Sequence, residues 1–71
     1  MSRNNVIVVA RCKGKYYVLL DLNADTEWNE KYVRQQIASS KFTRNWGTAL
    51  ALAHRIQTRI DTEYGVQMMY I

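Results

Sequence analysis

Hydrophobic and polar positions alternate, or run apolar, in three short stretches, and follow a helical period in two. "NVIVVARC" (5–12) and "KYYVLLDLN" (15–23) are rich in Val, Ile and Tyr and predict two strands. Lys13-Gly14 between them predicts a two-residue hairpin turn, with Gly14 taking a positive φ at no steric cost. Residues 66–71 predict a third strand. Two helices are predicted between the hairpin and that strand, over about 27–40 and 45–64. In the first, Asn29 is the expected N-cap, with Trp28 and Val33 at the positions of a hydrophobic staple. Glu27–Lys31 and Glu30–Arg34 have the favourable i,i+4 order. In the second, Ala49, Leu52, Ala53, Ile56, Ile60 and Tyr64 fall on one stripe at ~100° per residue. Gly65 is the expected C-cap. The fold class is therefore α+β: a single small ββααβ domain, a three-stranded sheet with two helices packed on one face.

A hairpin turning at Lys13-Gly14 pairs Arg11 with Tyr16, Val9 with Val18 and Ile7 with Leu20. Alternation then puts Ile7, Val9, Tyr16, Val18, Leu20 and Leu22 on one face. Val6, Val8, Ala10, Cys12, Tyr17 and Leu19 take the other. Both faces are apolar, and Met69 and Ile71 of the last strand continue the pattern. With both helices on one side, the other side is a large apolar patch, the mark of an interface in a soluble protein. This reading expects a homodimer or a protein partner to dock on Val6, Val8, Ala10, Tyr17, Leu19 and Met69. Aspartate at Val8 and Leu19 should then release a soluble monomer. The competing arrangement places one helix on each face and leaves nothing exposed.

Length bounds the rest. At 71 residues the chain is one domain, of a size that buries only ~60% of its unfolded surface. One Cys and one His exclude an intrachain disulfide and an all-Cys/His zinc site from one chain. No apolar run approaches the ~20 residues of a membrane span, and Met-Ser-Arg-Asn-Asn is not followed by a signal-peptide core. A cytoplasmic, soluble protein is expected, with no membrane contact.

Candidate chemistry is sparse. Asp21, Asn23 and Asp25 have the D-x-N-x-D spacing of a calcium loop, but Thr26 stands where the turn needs Gly and Tyr32 where the bidentate Glu belongs. No metal or other cofactor is expected. His54 and Asp61 lie on one side of the second helix, ~10.5 Å of rise apart, too far for a hydrogen-bonded dyad, and Gln57 is the expected partner of Asp61. Cys12 stands among Arg11, Lys13 and Lys15 without a nearby base in sequence. The chain is read as not an enzyme.

Net charge is +4, divided evenly: residues 1–35 carry six bases and four acids, and residues 36–71 carry four and two. Lys13, Lys15, Lys41, Arg44, Trp46, Arg55 and Arg59 form a candidate nucleic-acid or anion site. Arg11 adds to the hairpin tip, and Gly47 allows close approach at the helix start. In sequence these bases are scattered over the tip, the interhelix loop and the second helix, and Phe42 and Trp46 are read as closing the end of the core. The functional expectation is a small non-catalytic protein-binding module, an adaptor, accessory subunit or phage-type inhibitor of host machinery. Nucleic-acid binding at the start of the second helix is the alternative. A single continuous basic surface would favour the second.

Overall fold

The computed structural model describes residues 4–71. Strands β1 (Asn5–Cys12), β2 (Lys15–Asn23) and β3 (Val66–Tyr70) frame two helices, α1 (Glu30–Ile37) and α2 (Trp46–Ile60). The sheet order is β2-β1-β3, with β1 antiparallel to β2 and parallel to β3. The result is a small α+β domain with the ββααβ order that the residue pattern predicts.

The helices do not share a face. Val6, Val8, Ala10, Tyr17, Leu19 and Leu22 pack with Val33 of α1, and with Trp28, Tyr32 and Ile37 around it. Ile7 and Val9 pack with Ala49 and Ala53 of α2, bordered by Tyr16, Val18, Ile56 and Met68. Val6 through Ala10 are fully buried, so β1 is interior on both sides. Burying each of its larger side chains contributes about 1.5–3 kcal/mol, and that gain requires a helix on each face. The expectation of two helices on one side is corrected accordingly.

The hairpin turns at Lys13 (φ 53°) and Gly14 (φ 76°), both left-handed as a type I′ turn demands. Arg11 pairs with Tyr16 and Val9 with Val18 as the pattern predicts, but Ile7 does not pair with Leu20. Val8 faces Leu19 and Val6 faces Leu22, so a β-bulge places Leu20 and Asp21 opposite Ile7. Asp21 takes φ 52° there, and its carboxylate accepts a hydrogen bond from the Asn5 amide. Past the bulge every side chain changes face. Leu22 thereby joins the α1 core, and Leu20 is left half-exposed.

Both helices are shorter than their periodicity. Asn23 Oδ1 accepts from the backbone amides of Asp25 (2.9 Å) and Thr26 (3.3 Å), holding that segment in a turn. Helix α1 starts only after Asn29, whose side chain caps Tyr32 N at 2.8 Å. Glu27 turns away from Lys31 to accept from Asn23 N at 2.7 Å. The Glu27 carboxylate also acts on the Tyr32 hydroxyl, and its hydrogen-bonding pull, with some desolvation and its charge, raises Tyr32 above its ordinary pKa of 10.0. Glu30–Arg34 forms as expected, at 3.2 Å on the exposed face. Helix α2 ends at Ile60, with Asp61 in the left-handed C-cap conformation (φ 49°) rather than Gly65. Gln57 caps Thr62, through both its backbone and its hydroxyl, and not the Asp61 carboxylate. Gly65 (φ 67°) serves the turn into β3, where its carbonyl accepts from Ile7 N at 2.9 Å.

Val8 and Leu19 are core residues of the single chain, so Val8→Asp should not give a soluble monomer. It places an unpaired carboxylate where no water reaches, at a cost of at least about 4 kcal/mol, comparable to the whole stability of a domain this small. Circular dichroism should show an unfolded chain, and a folded monomer would refute the burial. Asp61 is an anion at a helix C-terminus in a conformation that disfavours a Cβ. Asp61→Gly should raise the unfolding free energy by about 1 kcal/mol, read as a higher urea midpoint at unchanged slope.

Candidate functional site

The connection between α1 and α2 has to pass from one face of the sheet to the other. It does so around the outer edge of β2. Tyr16 and Thr43 exchange two backbone hydrogen bonds there, Tyr16 N to Thr43 O at 2.8 Å and Thr43 N to Tyr16 O at 3.0 Å. This two-bond bridge locks the interhelix connection to the hairpin tip. Two parts of the sequence about thirty residues apart thus form one surface.

Aromatic rings straddle the edge. Phe42 meets Tyr17 on the α1 side with centroids 6.0 Å apart, and Trp46 meets Tyr16 on the α2 side at 5.5 Å. These contacts close the end of each core cluster, yet Phe42 stays 46% and Trp46 41% exposed. Cations lie against the rings. Lys15 Nζ is 4.6 Å and Arg44 Cζ 5.8 Å from the Phe42 centroid, and Arg11 Cζ is 5.9 Å from that of Tyr16. Two clefts border the surface. One, of about 330 Å³, is lined by Tyr16, Val18, Lys41, Phe42, Thr48 and Leu52 among others. The other, of about 360 Å³, is lined by Arg11, Tyr16, Trp46 and Tyr70.

Charge that is evenly spread along the chain is segregated in space. Residues 11–16 and 38–46 hold five bases (Arg11, Lys13, Lys15, Lys41 and Arg44) and no acid. Among the described residues none of these five is ion-paired with a carboxylate. The carboxylates gather at the opposite end of β1. Asn5 donates to Asp21 and accepts from Glu63 N at 3.0 Å, Asn4 donates to Asp25, and Asn4 N donates to Glu63 at 2.8 Å. The oxygens of the D-x-N-x-D segment are engaged in hydrogen bonds, Asp21 with Asn5, Asp25 with Asn4, and Asn23 with the Asp25 and Thr26 backbone amides.

The sequence-predicted site residues divide three ways. Lys13, Lys15, Lys41, Arg44 and Trp46 come together on this end. Arg55 and Arg59 are exposed on α2 but lie nine and thirteen residues beyond Trp46, some 13 and 20 Å of helical rise away, and do not join them. Val6, Val8, Ala10, Tyr17 and Leu19 lie beneath α1 with Met69 packed at their margin, so they form core in place of an open patch. Phe42 was legible as an aromatic at the helix mouth, but Tyr70 was not a candidate at all. Only the parallel register of β3, which seats Tyr70 beside Arg11, brings it here.

The start of α2 is not an open anion cradle. Asn45 Oδ1 already accepts from Thr48 N at 3.0 Å, and a Cβ on Gly47 would meet that same oxygen at 3.2 Å. Gly47 makes room for the cap, not for a ligand or the hairpin. His54 is exposed on α2 and Cys12 is half-buried against the α1 core. No group of three or more His, Cys, Asp or Glu side chains converges as a metal site among the described residues. Among them too, no helix is long and apolar enough to cross a membrane. No family model matches the chain, and neither a curated protein nor a solved structure matches it.

Lys13 occupies the first central position of a type I′ turn, where Asn, Asp or Gly is the unstrained choice. Lys13→Asn should raise the unfolding free energy by about 0.5–1 kcal/mol, by easing that backbone and removing one of five crowded cations. A drop in the urea midpoint would mean that the Lys13 side chain itself stabilises the tip.

Proposed function

We propose that this chain is a small non-catalytic binding module that holds nucleic acid on its hairpin end. The observation that supports it is convergence: five bases without a carboxylate partner among the described residues gather at the hairpin end, and three of them, Arg11, Lys15 and Arg44, lie against aromatic rings. Uncompensated cations raise the local potential and attract polyanions, and each phosphate contact gains from counterion release. Aromatic rings between the cations add contacts that a purely ionic surface lacks. The carboxylates at the far end orient the approach, since a polyanion is repelled there and drawn to the tip.

A protein partner is the second reading, with a cleft at the β2 edge in place of the sheet face as its seat. The sheet face is occupied by α1 of the same chain, so a homodimer or partner seated on Val8, Tyr17 and Leu19 has no open surface to use. The cleft between Phe42 and Leu52 is what favours a protein: both side chains are more than two-fifths exposed, and Val18 and Tyr16 supply an apolar wall. An acidic protein with one apolar anchor would fit it.

The test is fluorescence anisotropy with labelled oligonucleotides over a salt series. With about four phosphates contacted, affinity should fall about fifty-fold between about 50 and about 200 mM salt. Lys41→Gln with Arg44→Gln should flatten that slope by about two phosphates' worth. Arg55→Gln with Arg59→Gln should leave it unchanged. Absence of binding at about 50 mM salt, or binding indifferent to salt, overturns the reading.

A further inference from the structure

We propose that the occupant is a single strand whose bases stack on a cross-strand row of the sheet, Tyr16–Arg11–Tyr70, and on Trp46 beside it. This rests on the nucleic-acid reading above and names the form of nucleic acid and the groups that touch its bases.

The row is fixed by register. Arg11 pairs with Tyr16 of β2 on one side and with Tyr70 of β3 on the other. Residues directly opposite one another point to the same face. Tyr16 borders the Ile7–Val9–Ala49 cluster, so that face is the one α2 covers. Helix α2 begins at Trp46, whose ring is 5.5 Å from Tyr16, and the helix then runs away from the hairpin end. The row is therefore left uncovered at the mouth of the helix–sheet layer. Tyr70 is 68% exposed, and the four side chains line one cleft.

Tyr16 and Tyr70 are two strand spacings apart, roughly 10 Å, too far to stack on each other, with a guanidinium between them. Arg11 and Trp46 lie against Tyr16, so the open ring surface is that of Tyr70 and the exposed part of Trp46, beside the guanidinium. An unpaired base offers a π-face to such a surface and its phosphate offers charge, whereas the faces of a duplex are already consumed by stacking. An acidic peptide would engage the cations and leave the rings without a role. Tyr16 also lines the neighbouring cleft, so a strand leaving the row can continue to Phe42, held between Lys15 and Arg44.

The experiment compares four probes at low salt: oligothymidylate of about 12 nucleotides, an abasic strand of the same length, a duplex of the same length, and polyglutamate. Variants are Tyr70→Ala, whose exposed side chain makes it safe for the fold, and Trp46→Leu, checked by circular dichroism. Oligothymidylate should bind at least about fivefold tighter than the abasic strand, and each variant should lose about five- to hundredfold for oligothymidylate with the abasic strand unaffected. Equal affinity for thymidylate and abasic strands, or tighter duplex binding, overturns the stacking proposal while the nucleic-acid reading survives. Variants that bind thymidylate like the parent chain overturn it as well. Binding of polyglutamate as tight as thymidylate, or of no nucleic acid at all, overturns both.

Discussion

Everything in this molecule answers to one strand. Five consecutive residues of β1, Val6 to Ala10, have no contact with solvent. A strand that is apolar on both faces in a sheet of only three needs cover on both faces, and the chain has two helices to supply it. One must go to each side. That requirement sends the interhelix connection around the edge of β2, where Thr43 ties it down with two backbone hydrogen bonds. The same turn around the edge protects β2 from pairing with another chain. It also brings Lys41, Phe42, Arg44 and Trp46 against the hairpin tip. The basic, aromatic end is thus a consequence of how the core is covered.

The two ends of β1 are built on different principles. At the Asn5 end, polar groups are closed upon one another: Asn5 is buried, yet its side chain and carbonyl hold the Asp21 bulge, Glu63 and Tyr64. Among the described residues no buried side-chain nitrogen or oxygen lacks a partner. At the hairpin end, charges are left open. Among the described residues five bases there have no carboxylate partner, two rings are half-exposed, and Lys13 accepts a backbone conformation that other residues tolerate better. Positive-φ residues other than glycine stand at both ends, Asp21 and Asp61 near Asn5 and Lys13 at the hairpin, so what sets the hairpin end apart is its charge left without a carboxylate partner among the described residues.

The element order, the tight turn at Lys13-Gly14, the Asn29 cap and the two-sided apolar character of β1 were all legible, because each depends on residues close in sequence. The bulge was not, since an Asp within an apolar strand reads as an ordinary exposed position until pairing reveals that it absorbs a residue. That single residue moved Leu22 to the opposite face, and with it the balance of the two clusters. The helix ends were overrun because periodicity continues past Ile60, whereas Asp61 and the Gln57–Thr62 bonds stop the helix. The candidate site was half legible. Its basic and aromatic residues could be named one by one, but even charge along the chain concealed their segregation, which depends on a contact between Tyr16 and Thr43 that no local pattern encodes.

The direction of β3 completes the site, and helix length sets that direction. Helix α2 leaves the hairpin end at Trp46 and covers 15 residues, roughly 22 Å. Strand β1 extends over 8 residues, roughly 26 Å. The helix therefore spends its whole length crossing the sheet and delivers Gly65 beside Ile7, near the far end of β1. The strand that follows can only run back toward the hairpin, parallel to β1, and five residues later it places Tyr70 opposite Arg11. An α2 two turns shorter would release the chain at mid-sheet and carry β3 past the tip. An antiparallel β3 would put Val66 beside Arg11 and leave Tyr70 among the carboxylates. The aromatic–arginine–aromatic row thus depends on a length match between a helix and a strand, and it holds only while the Gln57–Thr62–Gly65 turn ends α2 where it does.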